Sequence, residues 1–499
     1  TEIVQLGWQR QGFYAWGNGI YDGIWHPVDE FGIVRLNNNA NYYLPANSKI
    51  YAQDDKLFQF ERKFIHLNYN SISLKEVAEK IVHVFGDNGK IGICFLLATL
   101  FRDIIVNYTK NFPILNLFGP KGAGKSELGH TLMSFFINRN TPPNISNATI
   151  AAMADAVAQC ANAIVHLDEF KNSIDLDKRE FLKGLWDGAG RSRMNMDRDK
   201  KREITSVDCG VVVSGQEMAT ADIALFSRFV FLRFNKTEYS SDEKARFMDL
   251  NRIQGMGFTH LTLQILSHRA KMQQGFVTNY KQCGDDLIEY LKEAVIEDRI
   301  LRNWQTLLAA FKTLEAYIDL PFSYKELLPI FTEGIILQNK ECKANNELSN
   351  FWNVVAYLQQ EGEIFIDGDY RIDYVRELKT NIASIKYLDE KPILKLRRSR
   401  IFMLYKKFGR MVGDTVLPEG SLKYYLENSK EYLGTMNSVR FKDIKKGGIE
   451  VTKAVDTGTG KEFKKTSGVD MAFCFDYQKI MDNYGIDINV YTDEFEDSL

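Results

Sequence analysis

Between Asn116 and Ser126 the chain reads NLFGPKGAGKS, with the apolar run ILNLF before it and ELGHTLMSFFI after it. Gly119, four intervening residues, then Gly124, Lys125 and Ser126 is the spacing of a loop that wraps a triphosphate. Glycines let such a loop turn its N–H groups inward, the lysine meets the β and γ oxygens, and the serine hydroxyl ligates magnesium. The phosphate cradle is therefore expected at Gly119, Pro120, Lys121, Gly122, Ala123, Gly124, Lys125, Ser126 and Glu127, with ATP and Mg2+ as its ligands. A strand must lead into it and a helix must leave it, because the helix N-terminus adds its own anion-binding end.

Downstream, Ile164 to Leu167 reads as a short apolar strand ending at Asp168 and Glu169. The first carboxylate is placed to hold magnesium, together with Ser126, and the second to orient the attacking water. The strand CGVVVSG that follows ends at Ser214 and Gln216, either of which can read the γ-phosphate. A helix over roughly 218–225 then delivers Arg228, positioned to reach the triphosphate of an adjoining subunit. Between these lies AGRSRMNMDRDKKREITS, whose MDRD reads as a turn between two strands. Arg191, Arg193, Arg198, Lys200, Lys201 and Arg202 make it a basic hairpin suited to nucleic-acid phosphates, and Asp197, Asp199 and Glu203 offset part of that charge.

The order of phosphate loop, LDEF, GAGRSR, VVVSGQE and LFSRFVFLRF resembles the helicase core of replication proteins encoded by plasmids, phages and integrative elements. That core is related to superfamily 3 and other AAA+ helicases. The resemblance covers about residues 110–235, and about 70–260 with flanking helices. It implies an α/β P-loop NTPase (AAA+-like) core, a homo-hexameric ring around DNA, catalysis by Lys125, Asp168 and Glu169, and Arg228 as an arginine finger. A primase or replication-initiation partner is implied as well. The family's sensor is often Asn or Thr, so the choice between Ser214 and Gln216 stays open.

The 499 residues are enough for several cores, and the expected divisions are 1–70, 71–110, 111–238, 239–360 and 361–499. The first is β-rich, its aromatics Trp8, Trp16, Tyr21 and Trp25 serving either a small core or base stacking. A helical linker begins at Leu74 under a capping box of Ser73 and Glu76, and a second helix is expected over 90–107. An Ala-rich helix is expected over 148–161, a short one over 178–186, and a helical bundle over about 240–360. The last segment reads as a hairpin at EGEIFIDGDYRIDY, a basic helix, a recognition-like helix and late strands, an order that is winged-helix-like. Its candidate DNA contacts are Arg400, Lys406 and Lys407, with Lys423, Arg440 and Lys442 beside them.

A formal charge of −2 confines nucleic-acid contacts to local basic patches. Six scattered cysteines fit a reduced, cytoplasmic protein with neither zinc module nor disulfide framework. The longest clean apolar run, IGICFLLATLF, is too short to span a bilayer, so no membrane partner is expected. The chain starts at Thr1 and reads as a candidate fragment of a longer polypeptide. The motif order and the resemblance it carries imply an ATP-dependent DNA helicase or translocase of a mobile element or phage. The alternative is an ATP-controlled origin-recognition, loader or scaffold protein that binds DNA without translocating.

Overall fold

The computed structural model describes residues 1–37, 40–54, 56–67, 72–137, 141–194, 202–217, 222–235, 240–292, 294–344, 348–412, 416–445, 448–449, 452–455, 462–465 and 467–488. The architecture is mixed α/β and divides into two compact units, 1–339 and 340–499.

Turn-forming Gly and Asn cut the start of the first unit into short strands. Four of them, β1 (Leu6–Gln9), β2 (Phe13–Trp16), β3 (Gly19–Tyr21) and β4 (Trp25–Pro27), form an antiparallel meander. A separate pair follows, β5 (Ile33–Arg35) with β6 (Asn41–Tyr43). Trp16 is fully buried against Tyr14, Trp25 and Phe64, so its ring serves the local core and is closed to base stacking. Helix α1 (Leu74–Phe85) starts at the Ser73–Glu76 capping box. The helix expected over 90–107 is two helices, α2 (Asp87–Leu100) and α3 (Arg102–Thr109), because Phe101 leaves the helical region at φ −122° and ψ 26°.

The centre of the unit is a parallel sheet. In chain order come β7 (Ile114–Phe118), α4 (Lys125–Met133), α5 (Ile150–Ala158), β8 (Cys160–Ala161), β9 (Ile164–Phe170) and α6 (Leu176–Trp186). Then follow β10 (Ala189–Met194), β11 (Arg202–Ser206), β12 (Gly210–Gly215), α7 (Ile223–Phe226) and β13 (Phe229–Arg233). The sheet order is β13-β7-β12-β9, every pairing parallel. Apolar residues run almost unbroken through these strands, as burial on both faces requires. The Ala-rich helix stops at Ala158 because the next residues are drawn into β8, which pairs in parallel with β1 and ties the N-terminal meander to the core. That junction depends on Gly7: at φ +86°, a Cβ there would lie 1.9 Å from the Ala161 carbonyl oxygen.

Five helices complete the unit, α8 (Ser241–Gln254), α9 (Thr259–Leu266), α10 (Arg269–Leu291), α11 (Asp298–Leu314) and α12 (Tyr324–Ala344), on which the division between units falls. They clip onto the sheet through side-chain amides. Asn303 Nδ2 donates to the Ser227 carbonyl at 3.0 Å, and Gln338 Nε2 to that of Phe229 at 2.9 Å.

The second unit contains α13 (Ser349–Gln360), β14 (Tyr370–Lys379), β15 (Ser384–Arg397), α14 (Arg398–Val412), α15 (Glu419–Glu427), β16 (Tyr432–Lys442), β17 (Ser467–Asp476) and α16 (Tyr477–Tyr484). Its antiparallel sheet has the order β14-β15-β17-β16. The helices pack Trp352, Phe351, Leu404 and Tyr405 against Leu396 and Phe475. The hairpin expected at 361–374 lies one element later, as β14 with β15, because residues 361–369 are consumed in turns closed by Asp369 N–H on the Phe365 carbonyl. All six cysteines are buried. Among the described residues no helix is long and apolar enough to cross a membrane.

Acid sensitivity follows from His66, whose ring packs between Trp16 and Trp25. Burial, helped by the nearby His260, pushes its imidazole down from 6.5 to about 4. A folded value below the unfolded one means that the stabilisation is complete above pH 6.5 and is lost as pH falls toward 4. Urea midpoints measured at pH 7, 5.5 and 4.5 should fall across that window, and His66→Phe should flatten the decline.

Candidate nucleotide site

Three loops meet at the carboxyl ends of β7, β9 and β12, where a parallel sheet places its ligands. The loop after β7 turns through Gly119 (φ +155°), Gly122 (φ +80°) and Gly124 (φ +87°), conformations that side-chain-bearing residues rarely adopt. At Gly119 a Cβ would also sit 2.2 Å from the Phe234 carbonyl oxygen. Lys125 opens α4, is 7 % exposed, and donates to the Pro120 carbonyl at 2.8 Å. Burial lowers its pKa, while the charges of Asp168 and Glu169 act in the other direction. Those two carboxylates therefore face the same space as the ammonium.

Asp168 is the junction of the site. Ser126 Oγ donates to its Oδ2 at 3.2 Å, and its Oδ1 accepts from both Ser214 Oγ and the Glu169 N–H. Burial works to raise the carboxyl pKa, but the Ser214 and Glu169 hydrogen bonds outweigh it, and the group sits below the usual carboxylate range. Its backbone is pinned as well, with Asp168 N–H on the Pro143 carbonyl at 2.9 Å and Ile145 N–H on the Asp168 carbonyl at 2.8 Å. Opposite β12 the register jumps, so that Asp168 and Glu169 together oppose Ser214 in a β-bulge. Glu169 takes φ +60° there, a strained value for a non-glycine residue, and the bulge re-aims its carboxylate.

Behind Asp168 lies a residue not singled out from the sequence, His166. Its Nε2 is 2.7 Å from Ser214 Oγ. Because Ser214 gives its proton to Asp168, the imidazole must donate from Nε2, which leaves Nδ1 bare, buried and unpartnered. Burial pushes this imidazole down to about 4, consistent with a neutral ring. Gly129 on α4 makes room for it, since a Cβ there would be 2.7 Å from Nδ1. Ser214 is thus fully buried beneath the carboxylate and spends its hydroxyl on it, whereas Gln216 at the end of β12 is exposed.

The donor set fits magnesium and a triphosphate. Magnesium takes one or two carboxylates plus phosphate oxygens and water, not a cage of side chains. Among the described residues no group of three or more His, Cys, Asp or Glu could hold a metal, and the Ser126–Asp168 pair offers one hydroxyl and one carboxylate. Lys125 and the glycine-turned N–H groups would hold the phosphates, and Glu169 would orient water.

Arg228 lies elsewhere. Its carbonyl accepts from Ile114 N–H at 3.2 Å, so it sits beside the amino end of β7 whereas the phosphate loop leaves the carboxyl end. The four steps between Ile114 and Phe118, about 13 Å at 3.3 Å each, separate the two ends. The guanidinium is 16 % exposed, donates to the Ala224 carbonyl at 2.6 Å and stands 3.8 Å from Asp187. Arg299, which nothing in the sequence selected, lies beside it: the two guanidiniums are 5.3 Å and 5.2 Å from the Trp186 ring centroid. The basic hairpin is β10 paired with β11, Arg193 opposite Glu203 and Met194 opposite Arg202. Arg191, Arg193 and Arg202 are on its strands, while Arg198, Lys200 and Lys201 fall outside the described residues. In the second unit Arg400 pairs with the buried Asp369 at 3.3 Å, and Lys406 and Lys407 are exposed on α14.

The Ser214 arrangement is testable without any ligand. Ser214→Ala strips a buried partner from both Asp168 and His166 and should cost about 1 to 3 kcal/mol of unfolding free energy. Gln216→Ala should change it by less than about 0.5 kcal/mol. Denaturant midpoints of the two variants make the comparison.

No family model and no curated protein sequence matches the chain. A solved structure described as "SCCmec type IV Cch - active helicase" is similar at a TM-score of 0.50 and 12% sequence identity, over 82% of this chain and 71% of that one. At that identity the likeness is one of fold, and the fold it shares is that of a helicase structure.

Proposed function

We propose that the chain is an ATP-dependent DNA helicase or translocase with an AAA+-like P-loop core, working as a ring, six-membered by resemblance, in replication of a mobile element or phage. The observation that carries this reading is the placement of Arg228 at the far end of β7 from the phosphate loop. A cation so placed does not reach the triphosphate held by its own Lys125, but is free to meet one held by a neighbour. ATP would thus lie between copies, with Lys125, Ser126, Asp168 and Glu169 on one side and Arg228 and Arg299 on the other. Bound ATP and magnesium would supply the reactive phosphoryl group and its charge neutralisation. The chain's own residues would hold phosphate oxygens, orient water through Glu169 and sense the nucleotide through the exposed Gln216.

DNA contact belongs in this reading to the β10–β11 hairpin, with a second contact through the winged-helix-like unit. The order helix, two strands, two helices, two strands in α13 to β17, with β17 between β15 and β16, supports the latter assignment. A loader that hydrolyses ATP without translocating shares the nucleotide site and differs in the hairpin. Neutralising Arg198, Lys200 and Lys201 together should abolish DNA-stimulated turnover and unwinding in a motor, and leave assembly intact.

Lys125→Ala should eliminate ATP hydrolysis and unwinding, and Arg228→Ala should lower kcat by about a thousandfold with ATP binding retained. Each variant is inactive alone, yet a mixture should recover activity, because some interfaces then join an intact Lys125 to an intact Arg228. Steady-state ATPase assays on mixed assemblies measure this. A mixture as inactive as its components would remove the shared-site reading.

A further inference from the structure

Trp186 ends α6 three residues before the basic hairpin begins at Ala189. It is largely buried, its indole N–H donates to Asn303 Oδ1 at 2.9 Å, and its carbonyl accepts from Phe112 N–H at 3.0 Å. Asn303 in turn holds the Ser227 carbonyl, next to Arg228. The ring is therefore fixed from α11, from the entry to β7 and from the turn before β13. On this fixed surface rest the guanidiniums of Arg228 and Arg299, at 5.3 Å and 5.2 Å from its centroid, within the range of a cation–π attraction.

Two guanidiniums so close repel each other, and the groups around them offset this only in part. Arg299 donates to Ser227 Oγ at 2.8 Å, Arg228 to the Ala224 carbonyl, and Asp187 stands 3.8 Å from Arg228. Arg228 Nε remains buried without a partner. Burial and the Arg299 charge both push Arg228 below its ordinary value. A pair of cations held together at a cost is suited to an anion arriving from outside.

We propose that Trp186 is a positioning residue: its indole is the common platform that aims Arg228 and Arg299 at a neighbouring subunit's phosphates, and its place at the hairpin root links that pair to β10–β11. This inference rests on the shared-site reading above. The chain path supports the link. Asp187 directly follows Trp186, Gly188 turns at φ +72°, and Val207 N–H closes the hairpin root on the Gly188 carbonyl at 3.2 Å. A shift of Arg228 away from Asp187 thus acts within two residues of the first hairpin strand.

The test uses the full chain in mixed assemblies. Trp186→Leu keeps apolar bulk and removes the π face, while Trp186→Phe keeps a ring. With ATP and forked DNA, Trp186→Leu should lower kcat at least fivefold with KM for ATP unchanged, and should lower the ratio of DNA-stimulated to DNA-free turnover. Trp186→Phe should restore most of both. In mixtures, Trp186→Leu should recover activity with Lys125→Ala and should not recover it with Arg228→Ala, which places the defect on the arginine side of the interface. If Lys125→Ala and Arg228→Ala complement each other while Trp186→Leu either has normal kcat or fails to complement Lys125→Ala, the platform role is wrong and the shared site stands. If Trp186→Phe is as impaired as Trp186→Leu, the π face is not the operative feature and the proposal falls. If the first two variants do not complement, the shared-site reading fails and takes this inference with it.

Discussion

One carboxylate, Asp168, is where the separate elements of the core are obliged to agree. Ser126 reaches it from α4, Ser214 from β12, and the Glu169 N–H from its own bulged strand. A half-buried negative charge is costly unless hydrogen bonds return what water would have given, and bonds to an ionised acceptor are the stronger kind. The order of the sheet follows from this. Only a strand adjacent to β9 can bring a hydroxyl beneath Asp168, and β12 is that strand, with β7 on its other side carrying the loop and helix that bring Ser126. The bulge at Asp168 and Glu169 is part of the same arrangement, since it points two consecutive carboxylates into one region in place of the opposite faces that regular pleating dictates.

His166 extends the arrangement into the interior. A neutral imidazole donating to Ser214 leaves that serine no choice but to donate onward to Asp168, so the chain of donors has a direction. The same ring occupies the space left by Gly129, which locks the phosphate-loop helix against the acidic strand. Displacing Asp168 therefore disturbs α4, and moving α4 disturbs Asp168. Such reciprocity keeps Lys125, Ser126 and the acidic pair in fixed relation whatever occupies the space between them.

Much of this was legible in the sequence, and the boundary of legibility has physical causes. The strand, loop and helix around Lys125, the strand ending at Asp168 and Glu169, and the hairpin strands either side of MDRD are local features, set by glycine conformational freedom, apolar runs and turn chemistry. The position of Ser214 at a strand end, which marks it as a candidate phosphate sensor, is local information; that its hydroxyl faces Asp168 depends on which strand lies next door. Arg299 and Trp186 were missed for the same reason, as their meeting with Arg228 joins residues far apart in the chain. The split of the 90–107 helix at Phe101 and the later position of the β14–β15 hairpin likewise came from packing and turns that apolar periodicity does not encode.

The second unit shows how pairing changes the meaning of a basic sequence. Lys395 is engaged by Asp373 at 2.6 Å, Arg397 by Asp470 at 3.0 Å, Arg400 by Asp369 and Lys442 by Asp367 at 3.0 Å. These cations brace the sheet and the turn before it, so their formal charge overstates what an incoming polyanion would feel. Among the described residues α14 carries three exposed cations, Lys406, Lys407 and Arg410. Helix α15, in the recognition-like position, carries Glu419, Lys423, Tyr424 and Glu427, a face with more acid than base.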